Sequence, residues 1–121
     1  MSGQFFNLIK ELYLALSLPE PDEINSVSSF QVGNQLCHVT EHPVDYMLMF
    51  VTVVPVLGAL AAEQNIFSQD PCRPVLGLDP VSQSQVLWSR QSMAYMDRAL
   101  IHHQLEQLVF AADKLMGVSI D

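Results

Sequence analysis

The spacing of hydrophobic residues changes several times along this chain, and each change marks a predicted element. From Phe5 to Leu16 apolar residues recur at helical spacing, which predicts an amphipathic helix that ends at the prolines that follow. Between Ile24 and Glu41 apolar and polar residues alternate, and Gly33-Asn34 can form a tight turn. This segment is therefore predicted to be a β-hairpin.

The longest uncharged run extends from Tyr46 to Ala62, and Pro55 divides it into two elements. The run is short for a membrane-spanning helix, which needs about 20 apolar residues. β-forming residues precede the proline and helix-forming residues follow it, which predicts a strand over 45–54 and a helix over 55–66. The strand is apolar on both faces, and such strands are normally covered on both sides. This pattern bears on how the protein assembles.

Two short strands and a last helix complete the predicted order. Strands are predicted over 75–78 and 86–93, and the last helix starts after Asp97, a suitable N-cap, and stops near Gly117. Its apolar stripe consists of Ile101, Leu105, Leu108, Ala112 and Leu115. The sequence thus predicts a single α+β domain over residues 1–121, in the order α-β-β-β-α-β-β-α.

Composition narrows the classes of function. The 121 residues include 13 acidic and 5 basic side chains, a net charge of −8, and half are hydrophobic. This balance argues against disorder, and it makes nucleic acids and anionic membranes unfavourable partners. The first residues lack the charged leader of a secretory signal, and two cysteines are too few for a disulfide framework. We therefore expect a cytoplasmic protein without membrane insertion.

The histidines do not form a recognisable catalytic or metal site. His102 and His103 are adjacent on a helix and point about 100° apart, so they cannot share a metal easily. His38 and His42 flank a predicted strand end without further ligands at a suitable spacing. Glycine-rich phosphate loops and nucleophile-elbow serines are also missing from the sequence. We expect no catalytic residue, metal or cofactor.

Apolar residues outside the predicted core are the remaining indication of function. Leu14 lies opposite the apolar face of the first helix, and Leu18 is close to the same outer side. They are either harmless exposed leucines or part of a second apolar side that contacts a partner. Met47 and Met49, in contrast, are predicted to be core residues because of their position in the apolar strand.

The ordered combination of segments resembles the class I type III secretion chaperones, small cytoplasmic bacterial proteins that escort effectors. The resemblance covers nearly the whole chain. It rests on the segments FFNLIKELYLAL, LGALAAEQNIF, VLGLDP, VLWSRQSM and ALIHHQLEQLVFAADKLMG. It implies a twisted antiparallel sheet with helices packed on it, and a homodimer.

The resemblance also implies which residues form the dimer contact. In the family the second helix and nearby strands commonly pair. On this sequence the predicted contact consists of Val56, Leu57, Leu60, Ala61 and Trp88. Small residues in the predicted middle helix would permit the close approach of two helices.

The partner implied by the resemblance is the N-terminal segment of a secreted effector, bound in extended form. Strand addition to a sheet edge, with apolar side chains entering grooves, would hold such a segment. Differential binding to the extended state needs neither ATP nor a catalytic group. The predicted client contacts are Leu14, Leu18, Phe30, Val32 and Leu36.

Two other functions stay open at this point. One is a dimeric regulatory domain of the same fold that sequesters a regulator instead of an exported effector. The other is a small-molecule-binding or enzymatic α+β domain that uses His38, His42 or His102.

Overall fold

The computed structural model describes residues 3–53, 74–78, 81 and 84–115. Its elements, in chain order, are α1 (Gly3–Ala15), β1 (Val27–Val32), β2 (Gln35–Glu41), β3 (Tyr46–Val53), β4 (Val75–Leu78), β5 (Gln85–Ser92) and α2 (Arg98–Leu115). All seven match predicted elements within a few residues at their ends. The middle helix predicted over 55–66 lies outside the described residues.

The strands form one antiparallel sheet in the order β1-β2-β3-β5-β4. The predicted hairpin joins β1 to β2, with Val32 opposite Gln35 across the Gly33-Asn34 turn. Gly33 has a φ of 58°, which a residue with a Cβ rarely adopts and which suits the first position of a tight hairpin turn. The α+β class, with helices packed on an antiparallel sheet, is confirmed. Within the described residues β1 and β4 are the edge strands.

The two helices among the described residues pack on one face of the sheet, which we call the inner face. There β3 contributes Met47, Met49, Val51 and Val53, all buried, which confirms the predicted core positions of Met47 and Met49. The helix residues of this core are Phe5, Leu8, Ile9 and Leu12 of α1 and Ile101, Leu105, Leu108, Ala112 and Leu115 of α2. Burying the apolar stripe of each helix against these strands is the main source of stability. No helix among the described residues is both long and apolar enough to cross a membrane.

Gln104 ties α2 to the two central strands. Its side chain is fully buried, and its Nε2 donates hydrogen bonds to the carbonyl oxygens of Met47 in β3 and Ser89 in β5, both at 3.2 Å. The amide crosses from the helix to two neighbouring strands, so it fixes where α2 lies on the sheet. At the start of α2 the backbone N–H of Leu100 donates to Asp97 Oδ1 at 2.9 Å, which confirms the predicted N-cap.

The end of α1 is held by a helix C-cap with an unusual residue. The backbone N–H of Leu18 donates to the carbonyl of Tyr13 at 2.9 Å, and that of Ser17 donates to Leu14 at 3.1 Å. This pair of bonds defines a Schellman motif, in which the residue after the cap adopts positive φ and is usually glycine. Here Ser17 takes that position with a φ of 56°. The motif determines the direction in which the chain leaves α1.

Cys37 is part of the inner-face core and is fully buried. Burial and, to a lesser extent, the nearby negative charge of Asp113 together raise the pKa of its thiol to about 11. The group is therefore protonated and unreactive in the folded protein. Cys72 lies outside the described residues.

The position of Cys37 leads to a test by thiol labelling. In a Cys72→Ser variant, which isolates the Cys37 thiol, we expect very slow reaction with a disulfide reagent at pH 8. A pKa of about 11 leaves only on the order of a thousandth of the thiol ionised at that pH. In denaturant the same thiol should react at the rate of a free cysteine. Equal rates in the folded and unfolded protein would contradict the burial of Cys37.

The C-cap of α1 leads to a test by substitution. Ser17→Gly should raise the free energy of unfolding by about 0.5–1 kcal/mol, because glycine relieves the left-handed strain while costing some unfolded-state entropy. The measurement is chemical denaturation of the purified protein. Asn7→Gly, at an exposed position inside the same helix, is the control and should lower stability. A loss of stability in Ser17→Gly would contradict the cap.

Candidate docking surfaces

Leu14 and Leu18 form an apolar surface at the C-terminal end of α1. Leu14 is 60% exposed and Leu18 is also exposed. Leu14 lies on the last turn of the helix, and the Schellman motif places Leu18 just beyond it. The structure therefore brings these two predicted client contacts together on the outside of the molecule.

Phe30 does not lie on the surface as the prediction requires. It is only 1% exposed, on the inner face of β1, and its ring packs against that of Tyr13 with centroids 4.8 Å apart. The alternation of β1 puts Phe30 on the same face as buried Ser28, under the end of α1. A client cannot contact Phe30 unless Tyr13 moves. Its position gives it a supporting role instead, because it holds the end of α1 against the edge strand.

Val32 and Leu36 lie on either side of the sheet near the hairpin turn. Val32 is half-buried on the inner face of β1 and packs against the core. Leu36 is exposed on the opposite face of β2, where its register partner is Gln31. The two residues are thus not part of one continuous patch, although both lie beside the edge strand β1.

The edge of β1 can accept another strand. In an antiparallel pair every second residue directs its N–H and C=O toward the neighbouring strand, and the others direct theirs away from it. Since β1 pairs only with β2 within the described residues, the remaining groups of Val27–Val32 face outward. An extended peptide could satisfy these groups by strand addition.

The face of the sheet opposite the helices, which we call the outer face, carries a row of aligned side chains that includes three rings. The register aligns Ser29, His38, Phe50, Trp88 and Val75 across all five strands. The rings of His38 and Phe50 have centroids 5.2 Å apart, and the imidazole Nδ1 lies 2.8 Å from Ser29 Oγ in a hydrogen bond. Phe50 and Trp88 are only half-buried. The outer face is therefore a second apolar surface of the described part of the chain.

Trp88 is the one predicted dimer contact that falls within the described residues. The guanidinium of Arg90 lies over its ring, 5.2 Å from the centroid. A Cβ at Gly77 would come within 3.2 Å of its Nε1, so the glycine permits the indole to lie close to β4. The other predicted contacts, Val56, Leu57, Leu60 and Ala61, lie outside the described residues. The dimer contact stays a prediction.

A small pocket near the hairpin turn was not predicted from the sequence. It lies between Val32 at the end of β1 and Val109 and Phe110 of α2, and Phe110 is 45% exposed. The sequence feature that could have indicated this pocket is the position of Phe110 outside the buried stripe of the last helix.

The three histidines of the enzymatic alternative do not lie together. His38 is inside β2 on the outer face rather than at a strand end, and His42 is exposed after β2. His102 lies on α2, on the other side of the sheet, where its Nδ1 is 3.1 Å from Glu106 Oε1. It lines an open groove of about 910 Å³ between α1 and the start of α2, crossed by the ion pair of Arg98 and Glu11. No joint acid–base or metal site follows from this arrangement.

Comparison with known proteins agrees with the fold. Residues 7–116 match the profile of the Tir chaperone protein (CesT) family. The YopE regulators of Yersinia enterocolitica and Yersinia pestis are each 40% identical over 121 residues, covering 96% of this chain and 92% of theirs.

Solved structures extend the comparison. A chain of the ExoT–SpcS complex from Pseudomonas aeruginosa is 53% identical and superposes with a TM-score of 0.86, covering 95% of this chain and 99% of that one. The type III secretion chaperone SycH of Yersinia pestis, in complex with a fragment of YscM2, has the same fold at 18% identity. Its TM-score is 0.71, and the match covers 90% of this chain and 97% of that one. The resemblance to type III secretion chaperones is confirmed, and the chain belongs to the Tir chaperone protein (CesT) family.

Proposed function

We propose that the chain binds the extended N-terminal region of a cognate type III secretion effector and keeps it stable and competent for secretion. The observation that carries the proposal is the open edge of β1, beside which Leu14 and Leu18 form an exposed apolar surface. The family and the complexes formed by its relatives support the same role.

The physical basis of this role is differential binding. A segment that pairs with β1 must be extended, because only extended backbone can satisfy the outward-facing groups of an edge strand. Apolar side chains of the segment gain further free energy at Leu14, Leu18, Val32 and Leu36. A chaperone of this kind shifts its client away from compact states by mass action, without ATP.

We also propose that two copies form a homodimer through the outer face and the predicted middle helix. Half-buried Phe50 and Trp88 with exposed Val75 offer apolar area that a second copy would cover. A strand that is apolar on both faces is normally buried on both. The inner face of β3 is already covered by its own helices.

The remaining features of the proposal follow from this role. The chain acts as a single domain over residues 1–121, in the bacterial cytoplasm, where its client is made. It works by binding alone, without a catalytic residue or a cofactor, in keeping with a family of chaperones. Its net charge of −8 favours neutral or basic client segments.

A regulatory role is the second candidate. The relatives in Yersinia are named YopE regulators, so a member of this family can carry a regulatory name. In that case the bound protein would be a regulator that stays in the cell. Secretion of the captured partner distinguishes the two roles.

Co-expression with the N-terminal region of ExoT tests the proposed function. ExoT is the probe because it is named in the complex that contains a 53% identical chain. We expect the two proteins to co-purify and to elute together on sizing. Leu14→Glu should weaken the complex about tenfold or more with a melting temperature unchanged within about 2 °C, because Leu14 is exposed.

The matched control is Tyr95→Glu, which adds the same charge at a residue that is 96% exposed. Its neighbour Met93 accepts a hydrogen bond from Gln4, at the end of α1 opposite Leu14. The control variant should bind ExoT as well as the unsubstituted chain does. The proposed function is wrong if the unsubstituted chain retains no ExoT. If Leu14→Glu binds normally, or unfolds, the assignment of Leu14 to the client surface is wrong.

Trp88→Gln tests the dimer. The substitution removes the largest apolar side chain of the outer face, so we expect the mass measured by light scattering to fall from dimer to monomer. Val44→Gln, at an exposed residue of the β2–β3 loop, should leave the mass unchanged. An unchanged dimer mass for Trp88→Gln, in a protein that still melts cooperatively, would contradict the contact.

A further inference from the structure

His38 lies on the outer face, next to the residues through which we propose that two copies pair. Its side chain is half-buried, and its ring lies against that of Phe50 with centroids 5.2 Å apart. The register continues from Phe50 to Trp88 on the neighbouring strand. A second copy that covers Phe50 and Trp88 would therefore also remove water from the imidazole of His38.

The outer face of the described strands carries no carboxylate, although the chain has a net charge of −8. Of the acidic residues that the structure describes, only Glu41 belongs to a strand, and it is buried on the inner face, opposite Met47 in the register. The others lie on the helices or in loops. Besides His38, the titratable side chains of the outer face are the phenol of Tyr46 and the guanidinium of Arg90.

The neighbours of His38 on the described strands suit a neutral ring. On β1 its partner is Ser29, whose hydroxyl can donate to a neutral imidazole or accept from it. On β3 its partner is Phe50, whose ring attracts a cation far less strongly than a carboxylate would. The other outer-face neighbours on β1, β2 and β3 are uncharged: Val27, Gln31, Leu36, Thr40, Leu48 and Thr52.

A second copy brings the same groups to the contact. Two identical chains that pair about a two-fold axis use the same surface on both subunits. The described strands of the second copy thus also present His38 and Arg90 and no carboxylate. An imidazolium enclosed between two such faces loses its hydration without gaining an ion pair, which is unfavourable, whereas a neutral imidazole can be buried at lower cost.

We propose that His38 makes the homodimer sensitive to pH, because the dimer holds its ring neutral and protonation of the ring weakens the contact. The inference rests on the proposed dimer contact through the outer face. Histidine changes charge between pH 5 and 8. As the pH falls through this range, the separated chains bind protons at His38 that the dimer excludes. Acidification therefore favours the separated chains, and raising the pH favours the dimer.

The dissociation constant of the dimer, measured by sedimentation at pH 7.5 and at pH 5.5, tests the proposal. A histidine of ordinary pKa, about 6.5, that a dimer keeps neutral raises Kd about tenfold over this interval. One dimer contains two copies of His38, so we expect Kd to rise between about tenfold and about a hundredfold. His38→Gln does not titrate and keeps a hydrogen-bonding partner for Ser29, so it should remove most of the rise. His102→Gln, on α2, is the matched control and should retain it.

The outcomes separate this inference from the proposed dimer. A chain that is monomeric at pH 7.5 would contradict the dimer itself. An equal Kd at both pH values, or a rise that persists in His38→Gln, would overturn the role of His38 while the dimer stands. Acid might instead tighten the dimer of the unsubstituted chain and not that of His38→Gln. That result would also overturn the inference, because the imidazolium would then pair with a carboxylate, such as that of Glu63 in the predicted middle helix.

NMR of the His38 ring gives a second reading that needs no substitution of His38. Its ring-proton signals should titrate at a lower pH in the unsubstituted dimer than in Trp88→Gln, the variant expected to be monomeric, because only the dimer excludes the proton. Equal titration midpoints in the dimer and the monomer would overturn the inference even if His38→Gln fails to fold.

Discussion

One constraint underlies the whole structure: both faces of the apolar strand β3 have to be covered. The inner face is covered by the chain's own helices: α1 and α2 bury Met47 and Met49. Gln104 fixes the position of α2 across β3 and β5. With both helices on that side, the described elements leave the outer face half-open around Phe50 and Trp88. A second copy of the chain is the simplest cover, and this links the core of one subunit to its assembly.

The same arrangement determines what the protein can bind. Because the helices lie over the inner face, they do not block the edge of β1, and the end of α1 is held above this edge by the contact of Tyr13 with Phe30. Backbone groups, an exposed leucine pair and a pocket therefore occur along one side of the molecule. This combination favours an extended segment over a folded partner, because a folded partner has few free backbone groups to offer.

Much of this fold could be predicted from the sequence because its signals are local. Helical spacing in α1 and α2, alternation in β1 and β2, and Gly33-Asn34 at the turn each involve neighbouring residues. The surfaces were harder to predict. Phe30 alternates with polar residues in a way that predicts one buried face, but only tertiary packing shows that Tyr13 covers it. Phe110 is one residue of a long helix, and its pocket lies where the hairpin meets that helix, with Gln35 bonded to Asp113, 78 positions away.

If the bound client stays extended along β1, NMR of an isotope-labelled client will show it. The labelled N-terminal region of ExoT would be bound to the unlabelled chain, and its backbone chemical shifts and contacts recorded. An extended client should give strand-like shifts and contacts between its backbone and β1, and no contacts that define a compact client core. A bound client with its own folded core, or one that does not contact β1, would contradict extended binding along β1.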